Sequence, residues 1–570
     1  MSSRPRSLQG TIQSNLLARH PSLPLSDPQD PHLDSPASTV FRHHLSAPRI
    51  PASSTLRTLA QFSLPFGLGL ALLGCGSSGP QLAGTVSTTA NPQVAKYTIQ
   101  TNGEATVSVS FGKTTAYGFK TGTSYISAPG GTVTIYVAGM LGNTVYHMQA
   151  TAQYSNGKTF VDTDHTFKTG AYDPASLPTV AATTLPGQTP QPGIEMLNPV
   201  TGTTQILAVD LSGNVIWAYN PGSVGGASWT APKLLPNGDF IALASISSSK
   251  VLTTTVPPNA ANLVREFDLA GNTVKQITMA QLNSELSAKG YNLTLFVFSH
   301  DITVLPNGHW LVLANTEKNV VLTGATTPTT VLGDVIVDLD ENLQPVWVWN
   351  EFDHLDVNRH PWNFPDWTHT NAVIYAPSDG NLLVSIRHQN WIVKVDYENG
   401  AGSGNILWRL GAGGDFKLVG GTDPTDWNYA QHGISFASSY SAGVFPLAVM
   451  DNGDDRLYPG DTTNPLCGTN GVPSCYSSVP IFNIDESAKT ATLTFHDILP
   501  ASQYNPWGGN AEVLANGDVE YDVASYYTSD SVVSEITDQP TPQTVWHLLM
   551  TNNNMYRAYR LPSLYPGVQW

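Results

Sequence analysis

The sequence predicts an all-β protein: a multi-bladed, six-bladed β-propeller preceded by a small immunoglobulin or fibronectin III-like β-sandwich. Three observations predict this. Charged residues make up only 12% of the 570 residues, while Gly and Pro number 49 and 41. That is a composition of short strands joined by tight turns. Residues 80–172 alternate apolar and polar side chains in short runs, and from residue 193 two kinds of turn recur in a fixed order. The 13 Trp, 22 Tyr and 18 Phe argue against a disordered chain. A net charge of −17 argues against nucleic acid as a partner.

Residues 1–79 read as a disordered leader and an export signal. The first 56 are rich in Ser, Pro, Arg and His, with no Lys and no apolar periodicity. After Arg57 an apolar run from Phe62 to Gly74 has the length of a signal-peptide core. It ends Leu72-Leu73-Gly74-Cys75, and a small residue followed by Cys resembles a bacterial lipobox. The expectation is an exported protein in the periplasm or on the outer surface, cleaved before Cys75 and anchored by lipid there. No stretch reaches the roughly 18 apolar residues of a membrane span, so the membrane is met only through that anchor. The other two cysteines, Cys467 and Cys475, have seven residues between them in a Gly/Pro loop and read as a local disulfide.

Residues 80–172 contain AKYTIQT, TVSVSFG, TVTIYVAGM, VYHMQATAQY and FVDTDHTFKT, separated by Gly, Asn and Ser. This is the pattern of a small antiparallel sandwich, with Tyr146 at a tyrosine-corner position. Phe111-Gly112-Lys113-Thr114 ends like a phosphate loop, but the earlier required Gly falls at Val107 inside a strand pattern. A proline-rich linker, 173–192, follows.

Residues 193–570 hold the repeat. One element is a turn between strands: LLPNGDFIAL, VLPNGHWLVL, YAPSDGNLLVS, VLANGDVEYDV. The other is a polar turn leading into an apolar strand: DLSGNVIWAY, DLAGNTVKQI, DLDENLQPVWVW. Asn237 and Asn307 are 70 residues apart, and Asp379 is 72 further on. One repeat is therefore about four strands, a propeller blade. The helix-like stretch 279–290 reads as a surface insertion.

In a propeller the innermost strand of each blade lines a central channel. Counting back from each turn places Thr230, His300, His369, His432 and Gly509-Asn510 at equivalent inner positions. Arg387 returns on the strand paired with that of His369, Asn371 projects on the same face as His369, and Asn452 returns beside His432. The constellation holds no carboxylate, which argues against glycoside hydrolysis and a Ser-His-Asp set. It suits binding and transferring an oxyanion. Three histidines suggest a metal, but Arg387 among them opposes a cation, so no metal and no cofactor is expected. Trp229, Trp362, Trp367 and Trp507 are candidates to sandwich a ring.

HTN followed by SIRHQ, with FSHDITVLPNG and QHGISF before DNG, resembles the bacterial arylsulfate sulfotransferase family over roughly residues 80–570. The resemblance implies a periplasmic enzyme that moves a sulfuryl group from an aryl sulfate to a phenol, without a nucleotide donor and through a sulfated histidine. It implies His432 as that histidine, and His300, His369, Asn371 and Arg387 as sulfate-binding residues. Gly509-Asn510 stands near a family threonine that has no clear match here. Partners are then small aryl sulfate donors and phenol acceptors, with a homodimer as the assembly considered. The competing expectation is a non-catalytic exported propeller serving binding or adhesion; the complete His300, His369, Arg387, His432 set separates the two.

Two outcomes follow from the leader and the loop cysteines. Mass analysis of the mature protein should find a lipidated N-terminal Cys75; a soluble protein beginning elsewhere contradicts this. Thiol alkylation should find Cys467 and Cys475 joined, and reducing them should cost about 2–3 kcal/mol.

Overall fold

The computed structural model describes residues 83–221, 228–245, 262–454, 456, 476–526 and 529–570. Cys75, Cys467 and Cys475 lie outside these, so the lipid anchor and the disulfide expected from the sequence fall beyond the described residues.

The alternating segments near the N-terminus form two sheets. One has three strands, Thr85–Thr88, Ala95–Thr101 and Gly131–Val137. The other has six, built on the pair Ala105–Gly112 and Val145–Tyr154. Their inward residues, among them Tyr97, Ile99, Val107, Val109, Ile135 and Met148, make one buried core. Every second side chain points inward because strand side chains alternate between faces. The buried Tyr146 hydroxyl accepts a hydrogen bond from the Leu141 amide at 3.1 Å. Phe111 and Gly112 end a strand, so no phosphate loop forms there.

Six sheets of four or five strands follow, a propeller-like all-β arrangement. The strand that leads into each turn lies at one edge of its sheet: Ser228–Leu234, Leu295–Val304, Thr370–Ala376, Ile434–Phe436 and Ala511–Val513. These edge strands neighbour one another in succession. The first sheet takes its corresponding strand, Met555–Leu561, from the C-terminus, paired antiparallel with Ile194–Pro199. The expected linker 173–192 also holds a strand, Thr179–Thr184, which pairs with Thr544–Thr551 at the far edge of the last sheet. Both ends of the repeat region thus knit the first and last sheets together. The composition of 173–192 hides this because an edge strand in a proline-rich stretch needs no apolar run.

The expected helix exists as Met279–Ala288, with the Thr278 amide donating to Gln281 Oε1 at 2.9 Å as in a capping box. It is more than a surface insertion: Met279, Leu282 and Leu286 are buried in the core between neighbouring sheets. The C-terminal tail joins the two halves of the chain. Tyr565 Oη accepts from the Ala138 amide at 2.8 Å, and Trp570 packs against Phe111 and Phe119.

The seam between first and last sheets is held by charge. Arg560 Nε, Nη1 and Nη2 lie 2.8, 2.9 and 2.6 Å from Glu195, Glu535 and Glu520. All four are buried. Burial, with Glu512 and Glu535 nearby, outweighs Arg560 and pushes Glu195 up to about 7; burial and Glu195 raise Glu520 as well. The folded state therefore keeps protons that the unfolded chain releases, so the seam loses stability as pH rises from about 4.5 to about 7. Arg560→Met should cost about 3–5 kcal/mol by denaturant unfolding, because it leaves buried carboxylates uncompensated, and should steepen that loss with pH.

Candidate functional site

The site begins with a backbone irregularity repeated from sheet to sheet. Within or just before four of the edge strands stand non-glycine residues in the left-handed region: Ala231 (φ 52°) and His300 (53°) inside theirs, His369 (52°) and Ala430 (50°) ahead of theirs. Register shifts span Ala231 (Thr230/Lys233) and His300 (Ser299/Ile302) and follow His369 (Thr370/Ala372). Such bulges turn a strand and re-aim its side chains, and each left-handed residue costs about 1–3 kcal/mol.

These bulges correct the sequence alignment of the repeats. The residue equivalent to His300 is Ala231, not Thr230. The His388 amide donates to Thr368 O, and the Gly453 amide donates to Tyr429 O. Matching these two bonds sets His369 against Ala430, Asn371 against His432 and Arg387 against Asn452. His432 thus stands where Asn371 does, two residues beyond the left-handed position. Counting back from a turn fails because each bulge adds residues that the turn does not reveal.

Buried carboxylates hold the irregular segments. Asp334 Oδ2 accepts from the Thr370 amide and from Thr368 Oγ1, both at 2.8 Å, on either side of His369. Asp451 Oδ1 accepts from the Tyr429 amide at 2.8 Å, just before Ala430. Asp522 Oδ1 accepts from the amides of Asn510 at 2.8 Å and Ala558 at 3.1 Å. Burial pushes Asp334 up to about 6 and holds Asp522 well above the ordinary carboxylate value.

His432 is buried, and its Nδ1 lies 2.7 Å from Asn452 Oδ1. The Asn452 amide orientation is set, because its Nδ2 donates to Asn505 O at 2.8 Å and Gly508 O at 3.1 Å. Its Oδ1 must accept, so His432 carries hydrogen on Nδ1 and a lone pair on Nε2. Burial, then the charge of Arg387, holds the His432 pKa well below the ordinary value of 6.5. The ring is neutral at pH 7.

His300 and His369 meet directly, Nε2 to Nε2 at 3.1 Å. His369 Nδ1 lies 2.6 Å from Asp366 Oδ2. His388 stacks between His369 and Trp362, with centroids 4.5 and 4.4 Å away. Arg387 Nη1 donates to His388 Nε2 at 2.8 Å, and Nη2 donates to Asp454 at 2.8 Å and to Pro506 O at 3.1 Å. Tyr556 lies between the two histidine groups, 6.1 Å from the His300 ring and 6.2 Å from that of His432.

The sequence-predicted residues therefore gather in two clusters that share Tyr556: His300, His369 and Arg387, and His432 with Asn452. Asn371 donates through Nδ2 to Gln431 O at 2.7 Å, next to His432, and its own carbonyl accepts from Arg557. Asn510 packs against Gly433; a Cβ at Gly433 would sit 2.5 Å from Asn510 Oδ1, so glycine is required there. Of the four tryptophans proposed for the rim, Trp362 lies at the site; Trp229, Trp367 and Trp507 are buried in packing.

Sequence reasoning missed Asp366, Asp454, His388, Tyr556 and Arg557. The expected absence of carboxylates is corrected: Asp366 and Asp454 are hydrogen-bonded to His369 and Arg387. Asp366 precedes His369 by three residues and Asp454 follows Asn452 by two, so a closer reading of those motifs would have found them. Tyr556 and Arg557 come from the C-terminal strand, which no turn signal marks. Asp366, His369 and His388 form the one grouping with metal-ligand spacing among the described residues. Both nitrogens of His388 are already engaged: Nε2 accepts from Arg387, and Nδ1 donates to Asp366 O at 3.0 Å.

The sequence model of the Arylsulfotransferase (ASST) family matches residues 158–560. The chain belongs to the arylsulfotransferase family. The chemistry that gives this family its description is aryl sulfotransfer. No curated protein matches the chain. Among solved structures, puromycin hydrolase is similar at 12% identity and TM-score 0.25, over 80% of this chain and 59% of that one. The chain thus spans less than two thirds of that hydrolase. Two mutants of the Synechocystis apocarotenoid oxygenase are similar at 11% and 10% identity, with TM-scores of 0.30 and 0.31. These cover 85% of this chain and 96% and 97% of theirs. Likenesses this low carry nothing about the chemistry of the arylsulfotransferase.

Nitrogen-15 shifts of the imidazoles test the tautomer of His432. They should show a neutral ring protonated on Nδ1 at pH 6.5, and Asn452→Leu should abolish that preference. A cationic His432 at that pH contradicts the geometry.

Proposed function

We propose that this arylsulfotransferase moves a sulfuryl group from an aryl sulfate to a phenol in two steps, through sulfated His432 and without a nucleotide donor. The observation that carries the proposal is the His432–Asn452 pair. It leaves His432 Nε2 with a lone pair that needs no general base. We read the six sheets as six blades and the two N-terminal sheets as an immunoglobulin-like sandwich. An exported, periplasmic protein anchored through Cys75 is the setting we propose from its leader.

In the first step His432 Nε2 attacks sulfur in line with the S–O bond to the aryl group. Charge spreads over the equatorial oxygens, as in phosphoryl transfer. Arg387, anchored by Asp454 and His388, supplies a donor that needs no reorganisation as charge shifts onto those oxygens, with the His300–His369 pair beside it. The Asn371 amide holds the Gln431 carbonyl and so keeps His432 at its bulge. The leaving phenol departs, a second phenol enters, and the reverse attack restores His432. Two half-reactions give ping-pong kinetics.

Intact-mass measurement after brief exposure to an aryl sulfate should show one added sulfuryl group on His432 that vanishes when phenol is added. His432→Ala should form no adduct. His369→Ala and Arg387→Ala should still form it, about 10²–10³-fold more slowly. A persistent adduct in His432→Ala, or one mapped elsewhere, contradicts the assignment.

A further inference from the structure

The first half-reaction leaves a proton to be assigned, and this inference rests on the sulfuryl-transfer reading above. A phenolate is a poor leaving group, with a conjugate acid near pKa ~10 if tyrosine-like, so a group beside it must donate. The hydrogen bonds distinguish the histidines. His432 spends its one hydrogen on Asn452 and uses Nε2 as nucleophile. His388 spends its hydrogen on Asp366 O and accepts from Arg387 at Nε2. His369 differs: its Nδ1 lies on a carboxylate, Asp366 Oδ2, at 2.6 Å, and its Nε2 points to His300 Nε2 at 3.1 Å.

We propose that Asp366 is a positioning residue that holds His369 as the proton donor to the leaving aryl oxygen. A carboxylate on Nδ1 favours the imidazolium, and two ring nitrogens 3.1 Å apart share one hydrogen. His300 thus keeps the His369 Nε2–H in place until a substrate oxygen replaces it. The Asp366 side chain is 35% exposed while that of His369 is 11% exposed, so Asp366 links the buried ring to solvent. The groups facing His369 are Asp366 from the preceding loop, His300 from the neighbouring edge strand and His388 from the turn after the paired strand. Arg387 and Asp334 lie one layer out.

The step balances. The N–S bond forms as the aryl S–O bond breaks, its electron pair stays on oxygen, and His369 Nε2–H gives that oxygen its proton. In the second half-reaction the acceptor phenol returns a proton to His369 as its oxygen attacks sulfur and the pair goes back to His432 Nε2.

The test compares wild type and Asp366→Asn in single-turnover release of phenol from phenyl sulfate and of 4-nitrophenol from 4-nitrophenyl sulfate, whose leaving group is the weaker base. A proton donor contributes about 10²–10⁴-fold. Asp366→Asn should lose about 10²-fold on phenyl sulfate and no more than about threefold on the nitro ester, whose turnover also shows that the variant folds. Equal losses on both donors, or none, overturn the proposal. A second readout needs no turnover: nitrogen-15 shifts should show His369 holding its proton to higher pH in wild type than in Asp366→Asn, and identical midpoints overturn the proposal. Wild type turning over neither donor overturns the sulfuryl-transfer reading itself, and the acid role with it.

Discussion

The left-handed residue within or just before four of the edge strands is the constraint on which the site depends. A regular strand would alternate its side chains between the two faces of its sheet. The turn at His300 and His369, and the one at Ala430 two residues before His432, instead send these side chains toward a common centre. Such conformations persist only where the surroundings over-determine them. Here Asp334, Asp451 and Asp522 do so, by taking the amides that the irregular ladder leaves over. The same buried carboxylates therefore serve the fold and the chemistry: they secure the bulges, and the bulges aim the imidazoles.

Burial then decides what each imidazole does. His432 and His388 are deeply enclosed and close to Arg387, so both are held neutral. Neutrality alone makes no nucleophile; the hydrogen must also sit on the right nitrogen. The two carbonyls that lock Asn452 settle that for His432. Arg387 is likewise fixed at both ends of its fork before any substrate arrives, by Asp454 and His388. A site assembled in this way has little reorganisation left to perform when charge moves onto sulfuryl oxygens.

Much of this was legible in the sequence, for identifiable reasons. Alternation over residues 80–172 and the recurring PNG-type turns report local side-chain and turn physics, so the all-β class and the turn-linked edge strands could be read from them. His300, His369, Arg387 and His432 stood out because similar turns precede or follow each. Ala231 and the offset of His432 against His369 were not legible, since a bulge changes register without changing composition. Thr179–Thr184 and Met555–Leu561 were hidden because they pair across hundreds of residues. Tyr556 enters the site only through that long-range pairing. Asp366 and Asp454 were overlooked for a different reason: their partners are set by side-chain geometry, which no spacing rule conveys.

The central claim is that sulfur is displaced twice, the first time by His432 Nε2. The stereochemistry at sulfur tests it most directly. An aryl sulfate made chiral with three oxygen isotopes should transfer its sulfuryl group to phenol with retention of configuration, the product of two in-line inversions. Net inversion would mean a single direct transfer between donor and acceptor, with no covalent histidine on the path.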